Sequence, residues 1–153
     1  MMSSVMMDGI HQLHYLGVVD MSDLMDTVRI SGDSGSRSIE EQVIDHVEAA
    51  QMSGFLPMRG SGSRIVGVHV SKIGIKLVDI VDHSVIDRLA LHKIVQSLSF
   101  DDGFDRFNVV LVVKKSTSDD VQCHLLQTSS AHEADHLCKQ IRQAFHSAVV
   151  ETS

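Results

Sequence analysis

The chain has 153 residues, a formal net charge of −7 and two cysteines, Cys123 and Cys138. Its length is typical of one domain, which buries roughly 70% of the surface exposed by the unfolded chain and needs no disulfide or structural metal to fold. An acidic balance of 13 Lys and Arg against 20 Asp and Glu argues against a nucleic-acid partner. Two cysteines do not form the framework of a small secreted domain, so both are interpreted as reduced thiols in a cytosolic protein.

The N-terminal third predicts one strand and one clear helix. Alternation favours a strand over residues 10–19, preceded by a flexible segment, 1–9. The connection over 20–38 is predicted to contain a short helix near residues 21–28. Ser38 and Glu41 then form an S-x-x-E capping box, which predicts the start of a helix. Gly54 and Pro57 predict where this helix ends.

The rest of the chain predicts a block of strands and a closing helix. Apolar alternation and turn residues indicate strands over 66–70, 75–77, 85–91, 94–100, 107–114 and 121–127. Asp102-Gly103 is a hairpin signal between two of them. Ser130 and Glu133 form a second capping-box pattern before an apolar helical stripe. Strand, helix, six strands and helix indicate an α+β domain over residues 10–150.

One motif favours a catalytic metal. His132, Glu133 and His136 match H-E-x-x-H, in which two His residues on one helix face bind zinc and the Glu acts as a base. A zinc hydrolase is therefore a remote alternative. Three features oppose it: Glu133 is expected to cap the helix, Asp135 places a charge beside the motif, and no third-ligand pattern follows. A solvated helix face is the simpler interpretation.

A nucleophilic site is not favoured either. Cys123 and His124 are neighbours on a predicted strand, so their side chains point to opposite faces and do not meet. Cys138 falls on the apolar stripe of the closing helix, where a buried, inert thiol is expected. We predict that the protein is not an enzyme and binds no cofactor or metal.

Four stretches carry a resemblance to a known family. These are Tyr15-Leu16-Gly17, the K-x-G-I-K pattern at 72–76, the strand and turn at 94–103, and the end of the closing helix at 138–149. Together they resemble the phosphotyrosine-interaction (PTB) domain family, and most closely its integrin cytoplasmic-domain-associated adaptors. The resemblance implies a PH-like/PTB fold of about seven strands in two near-orthogonal antiparallel sheets, capped by a C-terminal helix, with an extra helix between strands 1 and 2.

The resemblance also implies a site and its ligand. A peptide with an Asn-Pro-x-Tyr/Phe motif, such as an integrin β cytoplasmic tail, is expected to add as a strand beside residues 94–100. The expected contacts come from the edge strand and the closing helix: Leu91, Ile94, Val95, Leu98, Phe100, Cys138, Ile141 and Phe145. For Leu98 and Ile141 a plain core role is equally consistent with the pattern, because apolar periodicity indicates only burial.

Partners beyond the peptide follow from the same resemblance. Glu48 matches an acidic position that meets a basic pair on the ankyrin-repeat FERM scaffold of the cerebral-cavernous-malformation complex, and a solvated helix face is the alternative. No pair of Arg residues indicates a phosphotyrosine site, so binding is expected to be independent of phosphorylation. The expected location is the cytoplasm, at the membrane–cytoskeleton interface, and the nucleus, with membrane contact only through partners. The main alternative, a PH-like phosphoinositide-binding module, requires a basic patch.

Overall fold

The computed structural model describes residues 10–21, 38–59, 64–115 and 120–152. The predicted flexible start, 1–9, and most of the predicted short helix near 21–28 lie outside the described residues. Among the residues described, no helix is long and apolar enough to cross a membrane.

The observed elements follow the predicted order. They are β1 (Ile10–Asp20), α1 (Ile39–Met52), β2 (Arg64–Ser71), β3 (Gly74–Asp79), β4 (Val85–Ala90), a 3₁₀ turn (Leu91–Lys93), β5 (Ile94–Asp101), β6 (Phe107–Lys114), β7 (Val121–Thr128) and α2 (Ala131–Thr152). The strand predicted over 85–91 therefore stops one residue earlier, because Leu91 begins the 3₁₀ turn.

All seven strands are hydrogen-bonded into one antiparallel sheet with the order β4-β3-β2-β1-β7-β6-β5. β1 pairs with β2 on one side and with β7 on the other, so the two expected sheets are joined through β1. β4 and β5 are left as the two edge strands. The α+β fold, with a closing helix and one helix between strands 1 and 2, is confirmed.

Two apolar cores occupy the two faces of this sheet. The first core packs the inner face against α2, with Leu111, Leu126 and Leu137 as members that are 0% exposed. The second core packs the outer face of β5–β7 against α1, through Val47 and Val110. β6 faces both cores, which explains its apolar sequence, and each fully buried Leu or Val contributes about 1.5–3 kcal/mol of hydrophobic stabilisation.

Two glycines explain the motifs that carry the family resemblance. Gly17 has φ +135° beside a bulge in β1, and a Cβ there would lie 3.0 Å from Leu56 Cδ2. Gly74 has φ +153°, and its Cβ would lie only 2.3 Å from the carbonyl oxygen of Leu89. Both positions favour glycine because their φ strains any side chain, and at Gly74 the Cβ would also collide with backbone.

The two predicted helix caps have different outcomes. Ser38 and Glu41 form the predicted reciprocal capping box at the start of α1. At α2 the Ser130 hydroxyl accepts a hydrogen bond from the Glu133 N–H at 3.1 Å, but the Ser130 N–H donates to Thr128 Oγ1. The prediction of a second full capping box is wrong, because the Glu133 carboxylate contacts His11 instead.

Candidate functional site

The candidate site lies along β5, the edge strand that pairs only with β6 among the described strands. An edge strand presents backbone N–H and C=O groups that no neighbouring strand occupies, and these groups can pair with an added peptide strand. The register with β6 shifts between Ile94 and Gln96, which places a bulge at Val95. The predicted position of the edge is confirmed.

An apolar groove separates β5 from α2. Ile141 anchors α2 in the first core at 3% exposure, whereas Phe145, one turn further on, is 48% exposed. Val95 is 49% exposed on the facing strand. The resulting cavity of about 450 Å³ is lined by Leu91, Ile94, Val95, Gln96, Ser97, Ile141, Arg142, Phe145 and His146. We call this cavity the apolar half of the groove.

A second cavity of about 420 Å³ shares Ser97 and Arg142 with the apolar half. Its other lining residues come from α1, β5 and α2: Ser38, Glu40, Glu41, Ile44, Leu98, Ser99, Asp135 and Cys138. We call it the polar half of the groove. Its carboxylates accept hydrogen bonds from neutral neighbours, with Glu40 bound by Gln96 at 3.2 Å and Asp135 by Ser99 at 3.1 Å.

The predicted contact residues lie in three different places. Leu91, Ile94, Val95, Ile141 and Phe145 meet in the apolar half. Leu98 and Cys138 line the polar half, although both are largely buried, at 6% and 3% exposure. Phe100 lines neither cavity and packs against the second core.

The bulge at Val95 is the physical reason for this division. In a regular strand Ile94, Leu98 and Phe100 would share one face, because side chains alternate with a period of two. The extra residue breaks that alternation. Ile94 therefore packs against the first core, whereas Leu98 and Phe100 belong to the second.

Sequence reasoning missed several residues of the apolar half of the groove, of which Arg142 and His146 are exposed. Both follow Cys138 at successive intervals of four residues, so they lie on one helix stripe beside Ile141 and Phe145. That spacing was the available signal. It was overlooked because only the apolar members of the stripe were considered. Gln96 and Ser97 were missed because a bulge cannot be located from alternation alone.

Glu48 lies on α1, next to the buried Val47 and partly exposed. The same helix carries Glu40, Glu41 and Asp45 and contains no Lys or Arg. α1 therefore presents a strongly acidic surface that is separate from the apolar half of the groove.

Glu133 of the H-E-x-x-H motif has a structural role. The Glu133 carboxylate contacts Nδ1 of His11, and Gln140 Oε1 lies 2.5 Å from the other ring nitrogen, so His11 of β1 ties together two turns of α2. His132 and His136 are exposed, with ring centroids 5.9 Å apart. Within the described ranges, no group of three His, Cys, Asp or Glu side chains is arranged to hold a metal ion.

Both cysteines are free and buried. Burial raises the pKa of Cys123 to about 12 and also raises the pKa of Cys138, so both thiols stay protonated and weakly nucleophilic at neutral pH. The prediction that Cys138 is a buried thiol is confirmed. Cys123 lies in the second core, and the neighbouring His124 bonds elsewhere, as alternation predicts.

His124 belongs to a small polar network inside the domain. The Tyr15 hydroxyl lies 2.9 Å from His124 Nδ1, and His124 Nε2 lies 4.0 Å from the Asp87 carboxylate. Burial, with Asp87 adding to it, raises the pKa of Tyr15 to about 12. Burial lowers the pKa of His124, although Asp87 opposes that change. Both groups are therefore neutral at pH 7, and the network links β1, β4 and β7.

Comparison with known proteins identifies relatives of this chain. The family described as "Beta-1 integrin binding protein" matches residues 13–153. Integrin beta-1-binding protein 1 of Mus musculus is 28% identical over 109 residues, which cover 70% of this chain and 54% of the relative. The protein of the same name from Bos taurus is 25% identical over 140 residues, which cover 90% of this chain and 66% of the relative.

The chain thus spans about half to two-thirds of the length of these curated relatives. The family match covers nearly all of the chain, and the predicted resemblance to integrin-associated adaptors with a PTB fold is confirmed. The chain belongs to the beta-1 integrin binding protein family.

Proposed function

We propose that this domain is a non-catalytic adaptor that binds Asn-Pro-x-Tyr/Phe peptides of integrin β cytoplasmic tails by adding them as a strand to β5. The observation that carries the proposal is that an open strand edge, β5, lies beside an apolar groove between β5 and α2. Backbone hydrogen bonds to β5 supply affinity that tolerates sequence variation, and side-chain pockets supply specificity. The names of the relatives support the choice of integrin β tails as the ligand.

The apolar half of the groove supplies the side-chain contacts in this mode of binding. An apolar ligand side chain enters the apolar half, where Val95 and Phe145 lose exposed surface on binding. Each such side chain contributes up to about 1.5–3 kcal/mol, so two contacts supply at most about 6 kcal/mol of the roughly 8 kcal/mol that micromolar affinity requires. Backbone hydrogen bonds to β5 must supply the remainder. Gln96, Ser97 and Arg142 provide polar groups beside the incoming strand.

Phosphorylation of the ligand tyrosine is not required in this proposal. A phosphotyrosine pocket needs converging cations. The candidates do not all meet: Lys93, Lys114 and Lys115 lie at one end of the β5–β6 pair, and Arg106 lies in the loop at the other end, where it donates to the Asp105 carbonyl. Lys115 is also paired with Asp20 at 2.6 Å.

A second partner would bind the acidic surface of α1. Glu48 is the predicted contact to a basic pair on an ankyrin-repeat FERM scaffold, and the adjacent acids of α1 make its surroundings attractive to cations. An isolated exposed ion pair contributes only about 0.2–1 kcal/mol, so Glu48→Lys should weaken the scaffold complex moderately and leave peptide binding unchanged. Through these two contacts the domain would regulate integrin adhesion signalling in the cytoplasm, at the membrane–cytoskeleton interface and in the nucleus.

The proposal is tested by titrating a fluorescent integrin β-tail peptide with the purified domain and measuring polarisation. The control peptide replaces Asn and Pro of the motif with Ala, and a third peptide carries phosphotyrosine. We expect saturable binding near the micromolar range, about −8 kcal/mol, with little change on phosphorylation and a loss of binding for the Ala control. Equal binding of the control, or no binding of either natural form, would contradict the proposal.

A further inference from the structure

Arg142 of α2 lies where the two halves of the groove meet. Its side chain lines both halves, together with Ser97 of β5 on the opposite wall. Cys138, one turn earlier on α2, shows where the guanidinium lies. Burial raises the pKa of the Cys138 thiol, while a hydrogen bond with Ser97 and the charge of Arg142 oppose that rise. The positive charge of Arg142 therefore lies on the groove side of α2, close to β5.

The Arg142 guanidinium is exposed and has no counter-ion in the described part of the chain. None of the residues that line the apolar half is Asp or Glu. Glu40 and Asp135 line the polar half, where they accept hydrogen bonds from Gln96 and Ser99 instead. A guanidinium can bind a carboxylate with two parallel N–H···O bonds, so Arg142 can bind an acidic group that enters the groove.

His146 places a second polar group beside Arg142. It lies one turn further along α2, is exposed, and lines the apolar half together with Phe145. Residues four apart on a helix are neighbours on one face, so a ring N–H of His146 and the Arg142 guanidinium can donate to the same carboxylate. The helix wall of the groove therefore combines an apolar contact, Phe145, with two hydrogen-bond donors.

The spacing on α2 determines where such an acidic group would lie in an added strand. Asp135 bonds Ser99 at one end of the groove, and Phe145 lies with Ile94 at the other, so α2 runs antiparallel to β5. Arg142 and Phe145 are about 4.5 Å apart along the helix axis. Side chains on one face of a strand recur every two residues, about 6.6 Å. A ligand residue two positions from the apolar anchor at Phe145, towards the polar half, therefore reaches Arg142.

The preference for an acidic residue should be confined to that position. A carboxylate two residues further along the strand would approach Glu40 and Asp135, and like charges that approach each other are destabilising. Asp135 itself lies seven residues before Arg142, about 10.5 Å along α2. Exposed charges further apart than a Debye length, about 8 Å at physiological ionic strength, are largely screened, so Asp135 does not cancel the charge of Arg142.

We propose that Arg142, assisted by His146, selects peptides that carry Asp or Glu two residues from the apolar anchor, on the side of the polar half. This inference rests on the proposed function, because it requires a peptide strand beside β5. The backbone of β5 and the apolar half supply the affinity, and Arg142 distinguishes among peptides that share those contacts. An exposed ion pair changes affinity by at most about fivefold, so Arg142 ranks ligands without being required for binding.

The test is a polarisation titration of the whole chain with a set of integrin β-tail peptides in which each position outside the motif carries Asp, Asn or Lys in turn. We expect one position at which Asp binds about fivefold more tightly than Asn, and Lys binds more weakly than Asn. The difference should shrink in 1 M salt, where the Debye length falls to about 3 Å. His146→Ala should reduce the preference for Asp about twofold, because one donor is lost.

Charge reversal at Arg142 separates a direct contact from a structural role. Arg142→Gln should remove the preference for Asp, and Arg142→Glu should reverse it, so that Lys binds most tightly at the same position. Unfolding cannot produce this reversal, because an unfolded variant would bind none of the three peptides. The matched control is Arg88→Gln, which removes an exposed Arg of β4 outside the groove and should keep the preference for Asp.

The unsubstituted peptide distinguishes failure of this inference from failure of the proposed function. If that peptide does not bind, both are contradicted. If it binds but no position prefers Asp to Asn, the role of Arg142 is overturned and the proposed function stands. A preference that persists in Arg142→Glu, or that Arg88→Gln removes equally, would also overturn the role of Arg142.

Discussion

The two edges of the sheet differ in what they offer to another chain. β5 contains no charged residue between Ile94 and Phe100, and an apolar groove runs beside it. β4 carries Asp87 and Arg88 in mid-strand and has an irregular register with β3. Charges and bulges are the devices by which proteins block unwanted pairing at a sheet edge.

Under the proposed function, this difference predicts that the domain accepts an added strand at the β5 edge only. α2 is essential to the distinction, because it turns the β5 edge into a groove with a side-chain pocket. β4 is instead tied inward through Asp87, whose carboxylate approaches the buried His124.

The largest effect should come from Gly74→Ala, which tests whether close packing of β3 against β4 stabilises the β4 edge. The new Cβ would lie 2.3 Å from the Leu89 carbonyl oxygen, at a φ that side chains rarely adopt. We expect the free energy of unfolding, measured with urea, to fall by about 3 kcal/mol. Gly103→Ala is the control: it also has positive φ but open space around it, so about 1 kcal/mol is expected. Equal losses would show that the β3–β4 contact is not tight.

The second prediction compares one substitution at both edges. Val95→Asp should weaken peptide binding about thirtyfold or more, because a charge would enter the apolar half of the groove. Val85→Asp on β4 is matched in residue type and closely in exposure, at 42% against 49%, and should bind the peptide normally. If Val85→Asp lost binding and Val95→Asp did not, the peptide would bind at β4, which would contradict the proposed site.

The third prediction concerns the helix side of the groove. Phe145→Ala should weaken peptide binding about tenfold through lost apolar contact, with little change in stability because the ring is half exposed. Phe104→Ala, in the β5–β6 loop, removes a similarly exposed ring outside the groove and serves as the control in the same titration. Similar affinities for the two variants would remove α2 from the site.

The smallest effect is a pH dependence from the network behind β4. Because burial lowers the pKa of His124, the unfolded chain binds its proton more readily than the folded chain below pH 6.5. The free energy of unfolding should therefore fall as the pH drops from 6.5 towards the folded-state pKa, by at most about 1.4 kcal/mol per pH unit. His124→Gln should flatten this slope in urea melts, and His69→Gln should change it less. An unchanged slope in His124→Gln would exclude His124 as its source.

Local signals predicted most of the fold. The Ser38–Glu41 capping box and the alternation in β2, β3, β6 and β7 are properties of neighbouring residues, so sequence shows them directly. The position of β5 at an edge followed from the family resemblance rather than from periodicity. Gly74 illustrates how the two agree, because the glycine of the family motif is the residue that lets β3 approach β4.

What the sequence did not show depends on contacts between distant residues. Glu133 fits a capping box locally, but its carboxylate contacts His11, which is 122 residues away. The family resemblance placed Leu98 and Phe100 beside Ile94 at the groove, but the bulge at Val95 turns both residues towards the second core, and apolar alternation cannot locate that bulge. For the same reason Val95 and Phe145 are better test positions than Phe100 and the buried Ile141.

The most direct test of strand addition is amide hydrogen exchange of the domain with and without the integrin-tail peptide. The account predicts that saturating peptide slows exchange at the amides of β5 that point away from β6, and leaves the edge amides of β4 unchanged. Val95→Asp should abolish the added protection. Saturable binding with protection at β4 or α1, and none at β5, would contradict the central claim that the peptide adds to the β5 edge.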